Sequence, residues 1–215
     1  MELYYPKAIQ TGKVITKGEY RGGHPVGAVV HWTSGWSKNG SKGKTAHQWA
    51  LDAAKLGVDQ GFCYFVIGED GTVVQNFPIN RWGYHCGKST WPGLGSSLSN
   101  MLVGIEICCS GLVTRKTEDL YTSWFGEKFT RDEVRYSSGE KNIQKGYYHK
   151  YSQAQLDALL DLLIWLKANA PGVFDFANVL GHDEVSPDRK QDPGASLPMT
   201  MPEYREYLKM KYGKA

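Results

Sequence analysis

Short apolar runs, each bounded by polar or glycine-rich residues, recur along the chain and predict buried β-strands. They cover residues 26–33, 62–67, 72–75, 102–109 and 179–180. The Asp70-Gly71 pair lies between the second and third runs, and because Asp-Gly favours a tight turn, these two strands are expected to form a hairpin. Residues 1–25 show no clear period, and we expect an arm or a short strand there.

Three other stretches place apolar residues at helical spacing. The first covers residues 45–56, and Gly57 is expected to end that helix. In the second, Ser152 and Gln155 form a capping box ahead of a leucine stripe. The leucines of this stripe, which is predicted to be buried, are Leu156, Leu159, Leu160, Leu163 and Leu166. A terminal helix is predicted over 201–211, so the chain mixes strands with helices.

Two long segments show neither the strand pattern nor the helical spacing of apolar residues. Residues 80–100 are rich in Gly, Ser and Trp, which is typical of a long functional loop. Residues 112–150 are polar, aromatic and rich in Lys, and we interpret them as an insertion into a core of about residues 26–195. Since 215 residues fit one domain of ordinary to large size, we expect a single domain over 1–215.

The composition bears on the partners of the protein. A net charge of +3 and a pI near 8.5 favour an anionic polymer, but they fall short of the clustered charge of a nucleic-acid binder, so we expect no nucleic acid. Many of the 13 Tyr and 7 Trp lie in polar or Gly-rich stretches. Their rings suit stacking on sugars or peptides, or are partly buried with solvated polar tips.

The cysteines and the N-terminus indicate the compartment. The 4 cysteines lack C-x-x-C spacing, and Cys108 and Cys109 lie in an apolar run, which suggests free thiols and synthesis in a reducing cytoplasm. The first residues contain neither a basic region nor an apolar region of a signal peptide. No segment approaches about 18 consecutive apolar residues, so membrane insertion is not expected.

The stretch 181–194 concentrates candidate metal ligands. Its prolines and glycines prevent a continuous helix and predict a rigid loop that directs His182 and Asp192 to one place. Both side chains are good zinc ligands, and a catalytic zinc usually has three protein ligands and one open position. His31, at the end of a predicted strand, is a candidate third ligand, although a lone histidine there is also compatible with a hydrogen-bonded core residue.

Glu106 is a carboxylate in the middle of an apolar run. It lies either on a solvated face of the strand or in a site where burial and a neighbouring cation set its pKa.

These residues, in this order and spacing, resemble the type 2 N-acetylmuramoyl-L-alanine amidases, a family of zinc enzymes. The family includes phage endolysins, muropeptide-recycling amidases and peptidoglycan recognition proteins. The resemblance covers about residues 26–195. It is carried by His31-Trp32-Thr33, the hairpin from Phe65-Val66-Ile67 to Asp70-Gly71, His85-Cys86-Gly87, Gly104-Ile105-Glu106, and Gly181-His182 with Lys190-Gln191-Asp192-Pro193-Gly194.

The resemblance implies an α/β fold with a central mixed β-sheet flanked by helices and a zinc cleft at one edge. Its metal ligands would be His31, His182 and Asp192. Glu106 would accept a proton from water, and Lys190 would stabilise the oxyanion. Lys190 is also compatible with an ordinary solvated lysine.

Three further residues are candidates for substrate contact. His85 matches a histidine near the cleft of the family, in contact with substrate or supporting a ligand, and Trp82 lies in the same aromatic loop. Some members carry a catalytic Tyr at the position of Cys63, and many have His at the position of Tyr64. Because a shift of one residue along a strand turns the side chain to the other face, Tyr64 is assigned to substrate contact without that catalytic role.

The resemblance therefore implies a hydrolase that cleaves the amide between N-acetylmuramic acid and L-alanine in peptidoglycan. We expect a monomeric phage endolysin, made in the cytoplasm and released to the cell wall by a holin. A cytoplasmic muropeptide-recycling amidase is the nearest alternative, and a non-catalytic peptidoglycan-binding protein is a second. A structural zinc protein would need a fourth protein ligand beside the three.

Overall fold

A computed structural model describes residues 3–11, 16–35, 37–62, 65–140, 142–170 and 172–213. The strands are β1 (Ile9–Gln10), β2 (Gly27–Trp32), β3 (Phe65–Ile67), β4 (Val73–Gln75), β5 (Thr90–Trp91), β6 (Gly95–Ser96), β7 (Leu102–Ile107), β8 (Leu112–Arg115), β9 (Tyr121–Thr122), β10 (Lys128–Phe129), β11 (Val134–Ser137), β12 (Gly146–His149) and β13 (Val179–Gly181). The α-helices are α1 (Ala46–Gln60), α2 (Gln153–Asn169), α3 (His182–Val185) and α4 (Met201–Tyr212).

A six-stranded mixed sheet forms the centre of the structure, in the order β1-β4-β3-β7-β2-β13. Strands β3, β7, β2 and β13 run parallel, β4 pairs antiparallel with β3, and β1 joins the edge parallel to β4. The predicted hairpin and the predicted strand in the N-terminal segment are therefore both present. This central mixed sheet with its flanking helices confirms the predicted α/β fold class.

The two faces of the sheet have different coverings because side chains alternate along each strand. On one face Val30 and Ile105 pack beneath α2 and α4 in the main core. On the other face Val66 packs beneath α1, whereas Val29 packs beneath the loop that precedes β7. Between α1 and this loop, the second face of the sheet is left uncovered at the carboxyl ends of β2 and β7. That opening holds the candidate site.

Helix α1 begins as predicted and ends later than predicted. The Thr45 hydroxyl accepts the Gln48 amide, and the Gln48 side chain accepts the Thr45 amide, which completes a capping box. Gly57 was expected to end the helix, but it lies within it and is buried, and the helix continues to Gln60. Gly61, with a φ of 71°, ends it instead, because glycine reaches the left-handed region without strain.

Helix α2 confirms the capping box of Ser152 and Gln155. The predicted leucine stripe was placed too far to one side of the helix: Leu156 and Leu160 are only partly buried, while Leu162, which is outside the prediction, is fully buried. Helix α2 packs against both β3 and α4, and the position of these two neighbours determines which face of the helix is buried.

The segment interpreted as an insertion forms a sheet of its own. Its five antiparallel strands have the order β10-β9-β8-β12-β11. A small core of Val113, Tyr121, Phe129 and Val134, with Tyr147 packed against it, lies on this second sheet. Strand β8 follows β7 after four residues, which places the second sheet beside the open end of the central sheet.

No helix among the described residues has both the length and the apolar character needed to span a bilayer.

Candidate functional site

Strand pairing brings the first two site residues together. His31 on β2 lies directly opposite Glu106 on the parallel neighbour β7. Residues opposite each other in a parallel pair point to the same face, so both side chains project from the open part of the sheet. Glu106, whose exposure the apolar run left undecided, therefore faces the site.

The stretch after β13 adds the other two residues. A continuous loop was predicted from Gly181, but His182 begins the one-turn helix α3. The Asp183 amide then donates to the Asp192 carbonyl at 2.8 Å, which closes the loop on itself. The loop thus holds His182 and Asp192 side by side, as the prolines and glycines predicted, although a single helical turn starts it.

Three ligand atoms converge at this point. The Nδ1 atoms of His31 and His182 lie 2.9 Å apart, and the Asp192 Oδ2 lies 3.1 Å and 3.0 Å from them. A tetrahedral metal ion bound at 2.0–2.2 Å would require ligand separations of about 3.3–3.5 Å, so small shifts would accommodate it. All three residues are buried. Their geometry and chemistry therefore fit a metal ion.

The outer nitrogens of both histidines are held by the loop that precedes β7. His85 Nε2 donates to the Leu102 carbonyl at 2.8 Å, which leaves His85 Nδ1 to accept from His31 Nε2 at 3.0 Å. His182 Nε2 donates to the Cys86 carbonyl at 3.1 Å. Since carbonyls only accept, each neutral ligand histidine presents the lone pair of Nδ1 inward.

These tautomers strengthen the case for a cation. Two nitrogen lone pairs and a carboxylate oxygen repel one another at about 3 Å unless a positive charge lies between them. Burial and the neighbouring His182 lower the pKa of His31 to about 4, so the imidazole is neutral and its lone pair is available near pH 7.

A second group of potential ligands consists of His31 Nε2, His85 Nδ1 and the Cys86 thiol. In this group the two ring nitrogens are already joined by a hydrogen bond, so the lone pair of His85 Nδ1 is occupied. Burial raises the pKa of Cys86 to about 12, so the thiol keeps its proton at neutral pH. The first group is therefore the better metal site.

Glu106 and Lys190 lie beside the ligand set. Burial raises the pKa of Glu106 to about 8; the charge of Asp192 adds to this rise, while Lys190 opposes it. The Glu106 Oε2 atom is buried and has no hydrogen-bond partner in the described parts of the chain. Both residues line the same cleft. An unpaired carboxylate oxygen with a pKa close to neutrality suits a group that accepts and returns a proton.

The cleft around these residues has a volume of about 630 Å³. Three parts of the chain contribute walls: the end of α1 with Leu56, the second sheet with Trp124, and the loop before Asp192 with Arg189 and Lys190. Leu56 and Trp124 are exposed although both are apolar. The cleft is therefore large enough for a ligand of several rings or residues.

The structure does not bring every candidate to the cleft. Trp82 packs against the main core and meets Tyr84 edge-on, with ring centroids 5.5 Å apart, and it is not among the residues that line the cleft. Tyr64 lies outside the described residues. His85 does reach the cleft, where its ring packs over Gly104; a Cβ there would come within 2.8 Å of the imidazole.

Several contributors to the site were missed by the sequence analysis. The carbonyls of Cys86 and Leu102 act through the backbone, which leaves no signature in residue type. The Arg189 guanidinium donates to the Cys86 carbonyl at 2.6 Å and so ties the two loops together. Trp124 lay in a segment without a period, and only the fold shows that this segment borders the cleft.

Comparison with known proteins identifies the family of the chain. The family described as N-acetylmuramoyl-L-alanine amidase matches residues 21–195. Comparison with curated protein sequences gives no match.

Three similar solved structures share this fold. A selenomethionine derivative of AmpD has a TM-score of 0.58 at 19% identity, over 96% of this chain and 98% of its own. AmiD from E. coli has a TM-score of 0.56 at 18% identity, over 97% of this chain and 65% of its own. AmpDh3 from Pseudomonas aeruginosa has a TM-score of 0.55 at 16% identity, over 97% of this chain and 66% of its own. Because the family match spans most of the chain, the chain belongs to the N-acetylmuramoyl-L-alanine amidase family of hydrolases.

Proposed function

We propose that the protein is a zinc-dependent amidase that hydrolyses the bond between N-acetylmuramic acid and L-alanine in peptidoglycan. The observation that carries this proposal is the convergence of His31, His182 and Asp192 beside the unpaired carboxylate of Glu106. Two relatives support the substrate class. AmiD was solved with anhydro-N-acetylmuramic acid-L-Ala-D-gamma-Glu-L-Lys, and AmpDh3 with an anhydromuramic pentapeptide.

Each residue then has a role in the hydrolysis. His31, His182 and Asp192 would hold zinc, which supplies a Lewis acid that polarises the amide carbonyl and acidifies water. Glu106 accepts the proton of the attacking water as the carbon–oxygen bond forms, and returns it to the amine of L-alanine as the carbon–nitrogen bond breaks. Lys190 stabilises the negative charge that develops on the carbonyl oxygen.

The sequence is compatible with two roles for His85, substrate contact or support of a metal ligand, and its hydrogen bonds favour support of a metal ligand. Its Nδ1 accepts from His31 and its Nε2 donates to Leu102, so the ring connects the ligand to the backbone of β7. Such partners fix the tautomer and orientation of a ligand histidine. We therefore assign His85 as a positioning residue for His31.

Replacing Lys190 by alanine is expected to lower kcat and kcat/KM by similar factors, about 10²–10³, while the metal stays bound. An ammonium has no lone pair and cannot be a ligand, so its contribution must be electrostatic. Steady-state kinetics on a muramoyl peptide, together with metal content, measure both effects. A rise in KM with kcat nearly unchanged would show that Lys190 binds carboxylates of the substrate instead.

Replacing His85 by alanine is expected to weaken zinc binding about 10–100-fold, the usual effect of losing the partner of a ligand histidine. Titration against a competing chelator measures the affinity without depending on activity. In the His85→Asn variant the amide oxygen can occupy the place of Nδ1 and accept from His31, so its affinity should fall less. Unchanged zinc affinity with a raised KM would instead assign His85 to substrate contact.

The biological setting forms a further part of the proposal. We propose a phage endolysin, made in the cytoplasm and released to the wall, that acts as a monomer with one catalytic domain. The wide cleft with exposed apolar walls supports a polymeric substrate. Assays on intact sacculi and on free anhydromuramoyl peptides distinguish an endolysin from a muropeptide-recycling amidase. An endolysin should release peptides from sacculi at least as efficiently as from the small substrate.

Mass analysis of digested sacculi tests the function itself. We expect new amino termini on L-alanine and intact glycan strands, since only the amide is cleaved. The Glu106→Gln variant serves as the control, because it should leave the sacculi undigested. Cleavage within the glycan or the stem peptide, or no cleavage at all, would contradict the proposed activity.

A further inference from the structure

The second sheet presents an exposed indole to the catalytic cleft. Trp124 lies in the turn of residues 123–127 between β9 and β10, and it lines the cleft although 79% of its surface is exposed. Single exposed apolar side chains are common on folded surfaces, but one that borders a ligand cleft is in a position to bind a ligand. The proposed chemistry at Glu106 and the metal ligands does not use it.

Hydrogen bonds close the turn that carries this indole. The Ser123 amide donates to the Glu127 carbonyl at 3.0 Å, and the Glu127 amide donates to the Ser123 hydroxyl at 2.9 Å. The ring of Phe125 meets the indole edge-on, with centroids 5.1 Å apart and an interplanar angle of 90°. The closed turn and the contact with Phe125 restrict the indole, so it loses less conformational freedom when a ligand stacks on it.

The Glu127 carboxylate ties this turn to the strands that carry the catalytic residues. Its Oε1 accepts from the amides of Ser37 and Lys38, each at 2.8 Å, and from the Ser41 hydroxyl at 2.7 Å. Its Oε2 accepts from the Ser110 hydroxyl at 2.5 Å. These donors lie in the segments that follow β2 and β7. The buried Glu127 carboxylate therefore fixes the turn that carries Trp124 relative to the strands of His31 and Glu106.

The distribution of charge in the cleft indicates which part of a peptidoglycan substrate would bind next to the second sheet. The second sheet lines the cleft with the uncharged residues Leu112, Thr114 and Trp124. The cations that line it, Arg189 and Lys190, lie together on the loop before Asp192. Carboxylates of a stem peptide are attracted to the cations, whereas a neutral sugar ring suits an aromatic face with a hydroxyl beside it.

We propose that Trp124 is a glycan-binding residue, on which a pyranose ring of the glycan strand stacks while the stem peptide lies toward Arg189 and Lys190. This inference rests on the proposed amidase function and adds a substrate preference to it. The enzyme should favour stem peptides still attached to a glycan strand over free muramoyl peptides. The second sheet would thereby act as the glycan-recognition wall of the cleft.

Titration of the holoenzyme with an uncharged tetrasaccharide of β-1,4-linked N-acetylglucosamine tests the contact directly, because this ligand has no carboxylate that could bind Arg189 or Lys190. We expect Trp124→Ala to weaken binding about tenfold, near the upper limit for one aromatic contact, and Trp124→Phe to weaken it less. Tyr136→Ala is a matched control, because Tyr136 is an exposed aromatic residue of the same sheet that does not line the cleft. Its affinity should equal that of the wild type.

Kinetics on a glycan-linked substrate and binding of a glycan-free stem peptide give a second readout. Trp124→Ala should raise KM for glycan-linked stem peptides with kcat nearly unchanged, and it should leave binding of a glycan-free stem peptide as in the wild type. Absence of tetrasaccharide binding by the wild type, equal loss in Tyr136→Ala, or loss of peptide binding in Trp124→Ala would each overturn the proposal. No bond is cleaved in the titration, so a failure of the amidase function would appear separately, as a lack of new L-alanine amino termini.

Discussion

Replacing His182 by alanine is expected to abolish both metal binding and hydrolysis. With only two of the three proposed ligands, the site loses one zinc–nitrogen bond and with it most of its affinity for the metal. Metal content by elemental analysis and release of L-alanine termini measure the two effects. His47→Ala is a matched control, since His47 is an exposed histidine on α1 outside the cleft, and this variant should keep both metal and activity.

Removal of the metal should have the same effect without any mutation. A chelator is expected to abolish hydrolysis, and stoichiometric zinc should restore it, because the folded ligand set remains available. The metal should also raise the melting temperature, since an ion that binds only the folded state stabilises it by mass action. Full activity in a protein shown to contain no metal would contradict both the ligand assignment and the proposed mechanism.

Replacing Glu106 by glutamine is expected to lower turnover by about 10²–10⁴ while zinc remains bound, which is the usual contribution of a general acid–base group. Glutamine keeps the shape of the side chain and removes its basicity. Because the carboxylate is buried and its Oε2 is unpaired, the neutral amide should not destabilise the fold. Single-turnover kinetics and zinc content distinguish lost chemistry from lost metal.

The control for this variant is Glu118→Gln, which changes the same group at an exposed position outside the cleft and should leave turnover unchanged. If Glu106→Gln retained nearly full turnover, the proton acceptor would have to be another group. The assignment of Glu106 from its place opposite His31 would then be wrong.

The sequence by itself determined those elements whose signals are local. The strands around His31 and Glu106 followed from short apolar runs, and the hairpin followed from Asp70-Gly71. The start of α2 followed from a capping box, whose hydrogen bonds span only three residues. That His31, His182 and Asp192 lie together was also predicted, because their order and spacing resemble those of a known family.

Helix boundaries and burial needed the tertiary structure. Gly57 reads as a stop signal in isolation, but packing of α1 on the sheet buries it inside the helix, and Gly61 ends the helix instead. Leu162 is buried because the packing of α2 against β3 and α4 selects the face of the helix on which it lies. Helix propensity is a weak preference that packing energy overrides.

The completed site was likewise decided by contacts between segments distant in sequence. The tautomers of His31 and His182 depend on His85 and on the backbone carbonyl of Cys86, which residue types alone do not reveal. Trp82 and Trp124 are both tryptophans in polar stretches, yet only Trp124 reaches the cleft. Local sequence specifies which residues form a strand or a cap, whereas the faces of the sheet and the hydrogen bonds between its loops specify which side chains meet.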